Sequence, residues 1–174
     1  MPVRPHLGVM GVAPPGDEIL SSIPPGVFGG NVDNWRFGPG VTVYYPVFHD
    51  GAGFFVGDPH FAQGDGEICG TAIEASLDVT LRLTALPEAS IAAPILETAT
   101  HWFTHGFGAD LDAAMRMAAE QMLQLLVERA GFTMDEAYSL ASVAIDLGIT
   151  QVVDGTVGCH AAVAKDITGP ITIA

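Results

Sequence analysis

The chain has 174 residues, 49% of them hydrophobic, with a mean hydropathy of +0.38 and a formal net charge of −14. Such a composition describes a folded chain and excludes a disordered one, while six Lys plus Arg residues are too few for a nucleic-acid or anionic-membrane partner. Two cysteines, Cys69 and Cys159, make neither a disulfide framework nor a zinc cage. With no apolar run of bilayer length and no leader-like start, the expected setting is the cytoplasm.

From Leu7 to about Thr84 the pattern predicts short strands between Gly and Pro turns. Leu7-Gly-Val-Met-Gly-Val-Ala reads as a buried strand stopped by Pro14-Pro15-Gly16. Val41-Thr-Val-Tyr-Tyr-Pro-Val-Phe and Gly53-Phe-Phe-Val are rich in β-branched and aromatic residues. Leu77-Asp-Val-Thr-Leu-Arg-Leu-Thr alternates apolar with polar, as a half-buried strand does. Glu97 to His105 carries a carboxylate and two histidines, and its threonines favour an extended segment.

The second half changes period. Leu111, Met115, Ala118, Met122, Leu125 and Leu126 recur at helical spacing from Asp110 to Ala130, with Gly131 as the stop. Thr133-Met-Asp-Glu136 is a capping box opening a helix through about Leu147, ended by Gly148. Strands over Ile149–Val153 and Val157–Val163 follow, with Cys159-His160 read as structural. The expected fold is α+β: a β-barrel or sandwich-like N-terminal region, residues 1–90, packed with a two-helix α+β C-terminal region, residues 91–174, as one compact unit. Leu111, Met115, Met122, Leu126, Leu140, Ala144 and Leu147 are the expected buried helix positions.

Chemistry concentrates in Gly57-Asp-Pro-His-Phe-Ala-Gln-Gly-Asp-Gly-Glu67, which gathers Asp58, His60, Gln63, Asp65 and Glu67. In an extended segment Asp58 and His60 share one face, and Gln63, Asp65 and Glu67 another. Pro59 biases Asp58 towards extended backbone. An EF-hand loop is excluded, because His60, Ala62 and Cys69 stand where its ligands belong. A phosphate loop is excluded by the missing Lys-Ser/Thr, and a serine-hydrolase elbow by the missing Gly-x-Ser-x-Gly. Cys69 has no basic neighbour to activate it. What remains is an acidic site with one imidazole, suited to a divalent metal that assists hydrolysis, with Glu67 able to relay the proton. Gly29-Gly-Asn-Val-Asp33 is by itself either a turn or a further donor loop.

Taken together, Leu7-Gly-Val-Met-Gly-Val-Ala-Pro, Gly29-Gly-Asn-Val-Asp, Gly57 to Glu67, Gly70-Thr-Ala-Ile-Glu, Glu97-Thr, Asp110-Leu-Asp and Ile149-Thr-Gln-Val-Val-Asp resemble the acetamidase/formamidase family. The resemblance implies hydrolysis of short linear amides to a carboxylic acid and ammonia at a metal-containing site, in a soluble homo-oligomer. By chemical type, hard carboxylates and an imidazole, Asp33, Asp58, His60 and Asp65 are the residues expected around a divalent cation, zinc or calcium. Glu67 is the expected general base, with Asn31 and Gln63 binding the amide. Family members are usually longer, and the match looks like their C-terminal portion. The alternative is therefore a non-catalytic or incomplete β-rich unit that needs a separate chain, carrying the N-terminal part, to form the amidase site.

Overall fold

The computed structural model describes residues 1–173. In chain order its elements are β1 His6–Gly11, β2 Gly29–Asn31, β3 Thr42–Tyr44, β4 Phe55–Ala62, β5 Ile73–Glu74, β6 Ile95–Glu97, β7 His101–Gly108, α1 Leu111–Ala130, α2 Met134–Ala144, β8 Ile145–Gln151, β9 Val157–Ala164 and α3 Lys165–Thr168. Two open sheets result, β2-β1-β4-β5 and β3-β6-β7-β9-β8. Every paired strand in both is antiparallel to its neighbour. The fold is α+β as expected. The two sheets pack as a sandwich, and neither closes into a barrel.

Two apolar layers hold it. Leu7, Met10, Val32 and Phe37 on the side of the first sheet meet Leu96, Phe103 and Ala162 of the second. On the second sheet's other face, Trp102, Cys159, Ala161 and Val163 meet Ala114, Ala118, Met122, Leu125 and Leu126 of α1. Alternation along β7 and β9 divides these residues between the two faces. The helix lies close because β7 offers glycine beneath it: a Cβ on Gly106 would stand within 2.4 Å of the Ala118 nitrogen. Thr104 Oγ1 donates to the Ala118 carbonyl at 2.8 Å on the same seam. Asp110 caps α1 by accepting from the Ala113 N–H at 2.8 Å, and Gly131 ends it at φ 79°.

Three local expectations need correction. The capping box at Thr133 and Glu136 is present, but α2 ends at Ala144, and Ile145–Gln151 is strand β8. Gly148 is therefore no helix stop. It sits opposite His160 in the β8–β9 ladder, where a Cβ would meet that ring at 2.4 Å. Among the expected helix positions Met122 and Leu126 are fully buried, Met115, Leu140 and Ala144 are half-buried, and Leu111 and Leu147 are exposed. Residues 77–84 form no strand and lie largely in solvent. His101 and His105 do lie on extended chain, in β7, and Cys159-His160 lies in β9.

Leu126→Ala removes a side chain with no solvent exposure and should cost about 2–5 kcal/mol. Leu147→Ala, half exposed at 50%, should stay within about 0.5 kcal/mol. Urea denaturation midpoints of the two variants check the buried face of α1 and the exposed face of β8.

Candidate metal centre

The site begins as a row across the first sheet. Strand register sets His6 of β1 opposite His60 of β4, and His60 opposite Glu74 of β5. Between them Gly8 leaves a hollow. A Cβ there would stand 2.5 Å from Asp58 Oδ2, 2.6 Å from Asp33 Oδ1 and 2.8 Å from His60 Cε1. Three side chains thus converge on a point that any residue but glycine would fill.

The backbone is bent to achieve this. Among the described residues, four that are not glycine have positive φ, and three of them are Asp33 (50°), Asp58 (52°) and Glu67 (42°). Left-handed backbone at such residues is uncommon and costs of order 1–3 kcal/mol each where the surroundings impose it. Asp58 is therefore not extended, despite the proline after it. Beyond Ala62 the chain leaves β4 and turns through Gly64 to Gly66. Gln63, Asp65 and Glu67 consequently do not share one strand face.

Each donor has its support. His60 Nδ1 donates to Gln63 Oε1 at 3.1 Å, and Gln63 Nε2 donates to the Asp33 carbonyl. His6 Nε2 lies 2.9 Å from the same Gln63 oxygen, and His6 Nδ1 donates to the Arg4 carbonyl at 2.7 Å. With its Nδ1 so engaged, His60 turns Nε2 towards Asp58 Oδ2 at 3.1 Å and Glu74 Oε2 at 3.2 Å. That nitrogen makes no hydrogen bond, nor does the buried Asp33 Oδ1.

The second sheet places Glu67. The Gly66 N–H donates to the Thr150 carbonyl at 2.9 Å, and the Val152 N–H to the Gly66 carbonyl at 3.0 Å. Gln151 orders the following turn by accepting from the Val153 and Asp154 N–H groups at 2.8 and 3.2 Å. That turn brings Asp154 to the cluster. A second tie runs through Asn34, whose Nδ2 donates to His105 Nε2 at 3.1 Å while His105 Nδ1 donates to the Pro94 carbonyl at 3.0 Å.

Crowding of buried carboxylates shows in their proton affinities. Burial, then the charges of Glu67, Asp154 and Asp58, lifts the Asp33 pKa to about 9. Burial, then Asp154, pushes Glu67 up to about 7. Asp58 and Asp154 are also raised, chiefly by burial. Two donor sets result, Asp33–His60–Glu67 and Asp58–His60–Glu74, the candidate ligand atoms within each lying no more than 4.8 Å apart. Unsatisfied anionic oxygens and an imidazole lone pair around a glycine hollow are what a divalent cation requires. The residues fit such an ion.

Asp65 stands elsewhere. Arg36 grips it at 2.8 and 3.1 Å, and Trp35 Nε1 donates to it at 2.9 Å. Burial raises its pKa, but Arg36 outweighs that and leaves it lowered. Asn31 closes β2, half-buried, and its side chain bonds to none of these residues. Gln63 spends its amide on His60, His6 and Asp33. Sequence reasoning missed His6, Gly8, Glu74 and Asp154 as parts of the site. Gly8, Glu74 and Asp154 stood within motifs already singled out, whereas His6 did not, and strand pairing is what brings His6, Gly8 and Glu74 together.

Residues 16–168 match the Acetamidase/Formamidase family. The chain belongs to that family. It is 53% identical over 55 residues to an acetamidase of Mycolicibacterium smegmatis and 46% identical over 70 residues to a formamidase of Methylophilus methylotrophus. Those stretches are 30% and 38% of this chain and 13% and 17% of the two relatives. The solved acetamidase of Bacillus halodurans superposes with a TM-score of 0.92 at 38% identity, covering 98% of this chain and 58% of its own. The family chain therefore spans little more than half the length of that solved relative.

Stability of chelator-treated protein should peak near pH 5–6. Asp33 and Glu67 have raised folded pKa values, so their contribution is complete below about pH 4 and is lost as pH rises through about 7 and 9. His105 and His160, lowered to about 4 and 3 mainly by burial, contribute above about pH 6.5 and lose it as pH falls through those values. Thermal melts from pH 3 to 9 test this. Added divalent cation should raise Tm most above pH 7, where protons no longer compete for the carboxylates.

Proposed function

We propose that the chain carries the metal-dependent centre of a hydrolase that splits short linear amides, such as formamide or acetamide, into carboxylate and ammonia. The observation behind this reading is the convergence of Asp33, Asp58 and His60 on the Gly8 hollow, with Glu67 and Glu74 in donor sets no wider than 4.8 Å, in a member of the Acetamidase/Formamidase family. Asp33, Asp58, His60 and Glu74 would hold the ion. When bound, zinc or calcium supplies Lewis-acid polarisation of a carbonyl and acidifies nearby water. Glu67 is the proton carrier: a carboxyl with pKa near 7 accepts a proton from attacking water and returns it to the departing nitrogen at neutral pH. Gln63 keeps the His60 ring in one tautomer and orientation. Water adds to the carbonyl, the C–N bond breaks, and the amine leaves as ammonia.

Glu67→Gln keeps the shape but removes the basic oxygen. Turnover, followed as ammonia release from formamide and acetamide, should fall about 10²–10⁴-fold with metal content retained. Asp58→Asn should instead lower metal content measured by elemental analysis. Loss of metal in the first variant and retention in the second would invert the assignment. Normal turnover in both would place the chemistry elsewhere.

A second reading has its own support, since the chain covers 58% of the Bacillus acetamidase chain. On this reading the centre is built here, and a further polypeptide completes the amide pocket. Turnover by this chain alone would exclude it.

A further inference from the structure

One contact in the row across the first sheet is not an ordinary hydrogen bond. Gln63 Nε2 donates to the Asp33 carbonyl, so the amide atom facing the two histidines is the oxygen. His6 Nδ1 lies 2.7 Å from the Arg4 carbonyl, which only accepts, and therefore carries a hydrogen. An imidazole that donates from Nδ1 offers a lone pair at Nε2. That nitrogen lies 2.9 Å from Gln63 Oε1, an oxygen with lone pairs alone to offer in return. Two acceptors so close repel unless a positive centre, a proton or a metal ion, stands with them.

The neighbouring atoms decide between the two. A proton is shared along a line between two atoms. Here three atoms form a nearly equilateral triangle: His6 Nε2 to Gln63 Oε1 is 2.9 Å, His60 Nδ1 to Gln63 Oε1 is 3.1 Å, and the two imidazole nitrogens are 3.2 Å apart. Such spacing is that of neighbouring ligands on one ion, each about 2.0–2.2 Å from it. Asp33 Oδ1, buried and without a hydrogen-bond partner, lies 4.0 Å from His60 Nδ1 and supplies a fourth donor. All four side chains are buried. We infer that His6 Nε2, His60 Nδ1, Gln63 Oε1 and Asp33 Oδ1 hold a second divalent cation, on the opposite side of the His60 ring from Asp58 and Glu74. Two imidazole nitrogens in the set suit zinc better than calcium, which takes oxygen donors. His60 bridges the two positions, with Nε2 towards Asp58 and Glu74 and Nδ1 towards the inner ion. Its Nδ1 hydrogen passes to solvent as a proton when that ion enters. The Arg4 carbonyl is the partner that keeps His6 ligating through Nε2. The inference rests on the proposal that this centre takes a divalent cation, and adds to it a second position and a new ligand, His6.

Binding, read without turnover, tests it. Chelator-treated protein is titrated with Zn²⁺, freed of excess and its zinc counted by elemental analysis. Two zinc ions per chain are expected, and one in His6→Ala, where affinity for the second should fall at least about tenfold. His6→Gln keeps a hydrogen-bonding side chain in the row and should lose the same ion, should the alanine variant fail to fold. Ring-nitrogen NMR of the unaltered protein needs no variant: zinc should shift His6 Nε2 and both nitrogens of His60. A single zinc per chain, or two that both His6 variants retain, overturns the inference and leaves the cation at Asp58 and Glu74 in place. A hydrogen still present on His6 Nε2 at full zinc loading also overturns it, because the contact with Gln63 is then a plain donor–acceptor pair. Binding of no zinc at all removes both this inference and the proposal beneath it.

Discussion

Everything around the centre follows from one electrostatic constraint: carboxylates and an imidazole lone pair are aimed at the same desolvated point. Two unit charges separated by about 4–5 Å in a medium of effective dielectric near 20 repel by roughly 3–4 kcal/mol. Asp33, Glu67, Asp58 and Asp154 cannot all be ionised there without a positive charge among them. A proton answers this at one carboxyl, and burial together with the neighbouring carboxylates lets Asp33 hold its own up to about pH 9. A divalent cation answers it for the set at once. The glycine at position 8 keeps that position open, since a methyl group would occupy it.

Holding repelling groups together requires a scaffold stiffer than the repulsion. The β1–β4–β5 row supplies it for His60 and Glu74, because antiparallel register fixes both. Asp33 and Glu67 lie outside that ladder in left-handed backbone, and the second sheet restrains them. The Gly66–Thr150 and Val152–Gly66 bonds fasten one loop, and the His105–Asn34 bond fastens the other. The inter-sheet apolar layer of Leu7, Val32, Phe37, Leu96 and Phe103 then transmits stability between the two halves. His105 of β7 thus serves structure: its ring is neutral, buried and engaged at both nitrogens.

Much of this was legible in the sequence, unevenly. Helices α1 and α2 were, because the helical spacing before Gly131 and the Thr133–Glu136 box are local signals with local causes. So was the Gly57–Glu67 segment, whose density of donors is hard to explain as a solvated turn. Illegible were the contributions that depend on cross-strand register. His6 and Glu74 meet His60 only after three distant strands align, and a glycine shows its purpose only when its neighbours are in place. Asp65 misleads for the converse reason: spacing groups it with Glu67, but the turn at Gly64–Gly66 hands it to Arg36. The α2–β8 boundary failed because Ile145-Asp-Leu-Gly-Ile suits either state, and pairing with β9 decides.

The two sheets are covered differently. α1 covers one face of the second sheet, and the first sheet covers the other. The centre lies on the first sheet, at the border where its edge strand β5 carries Glu74. A cation at that border would neutralise the inward-facing carboxylates while leaving the Glu74 side, which is half exposed, open to approach.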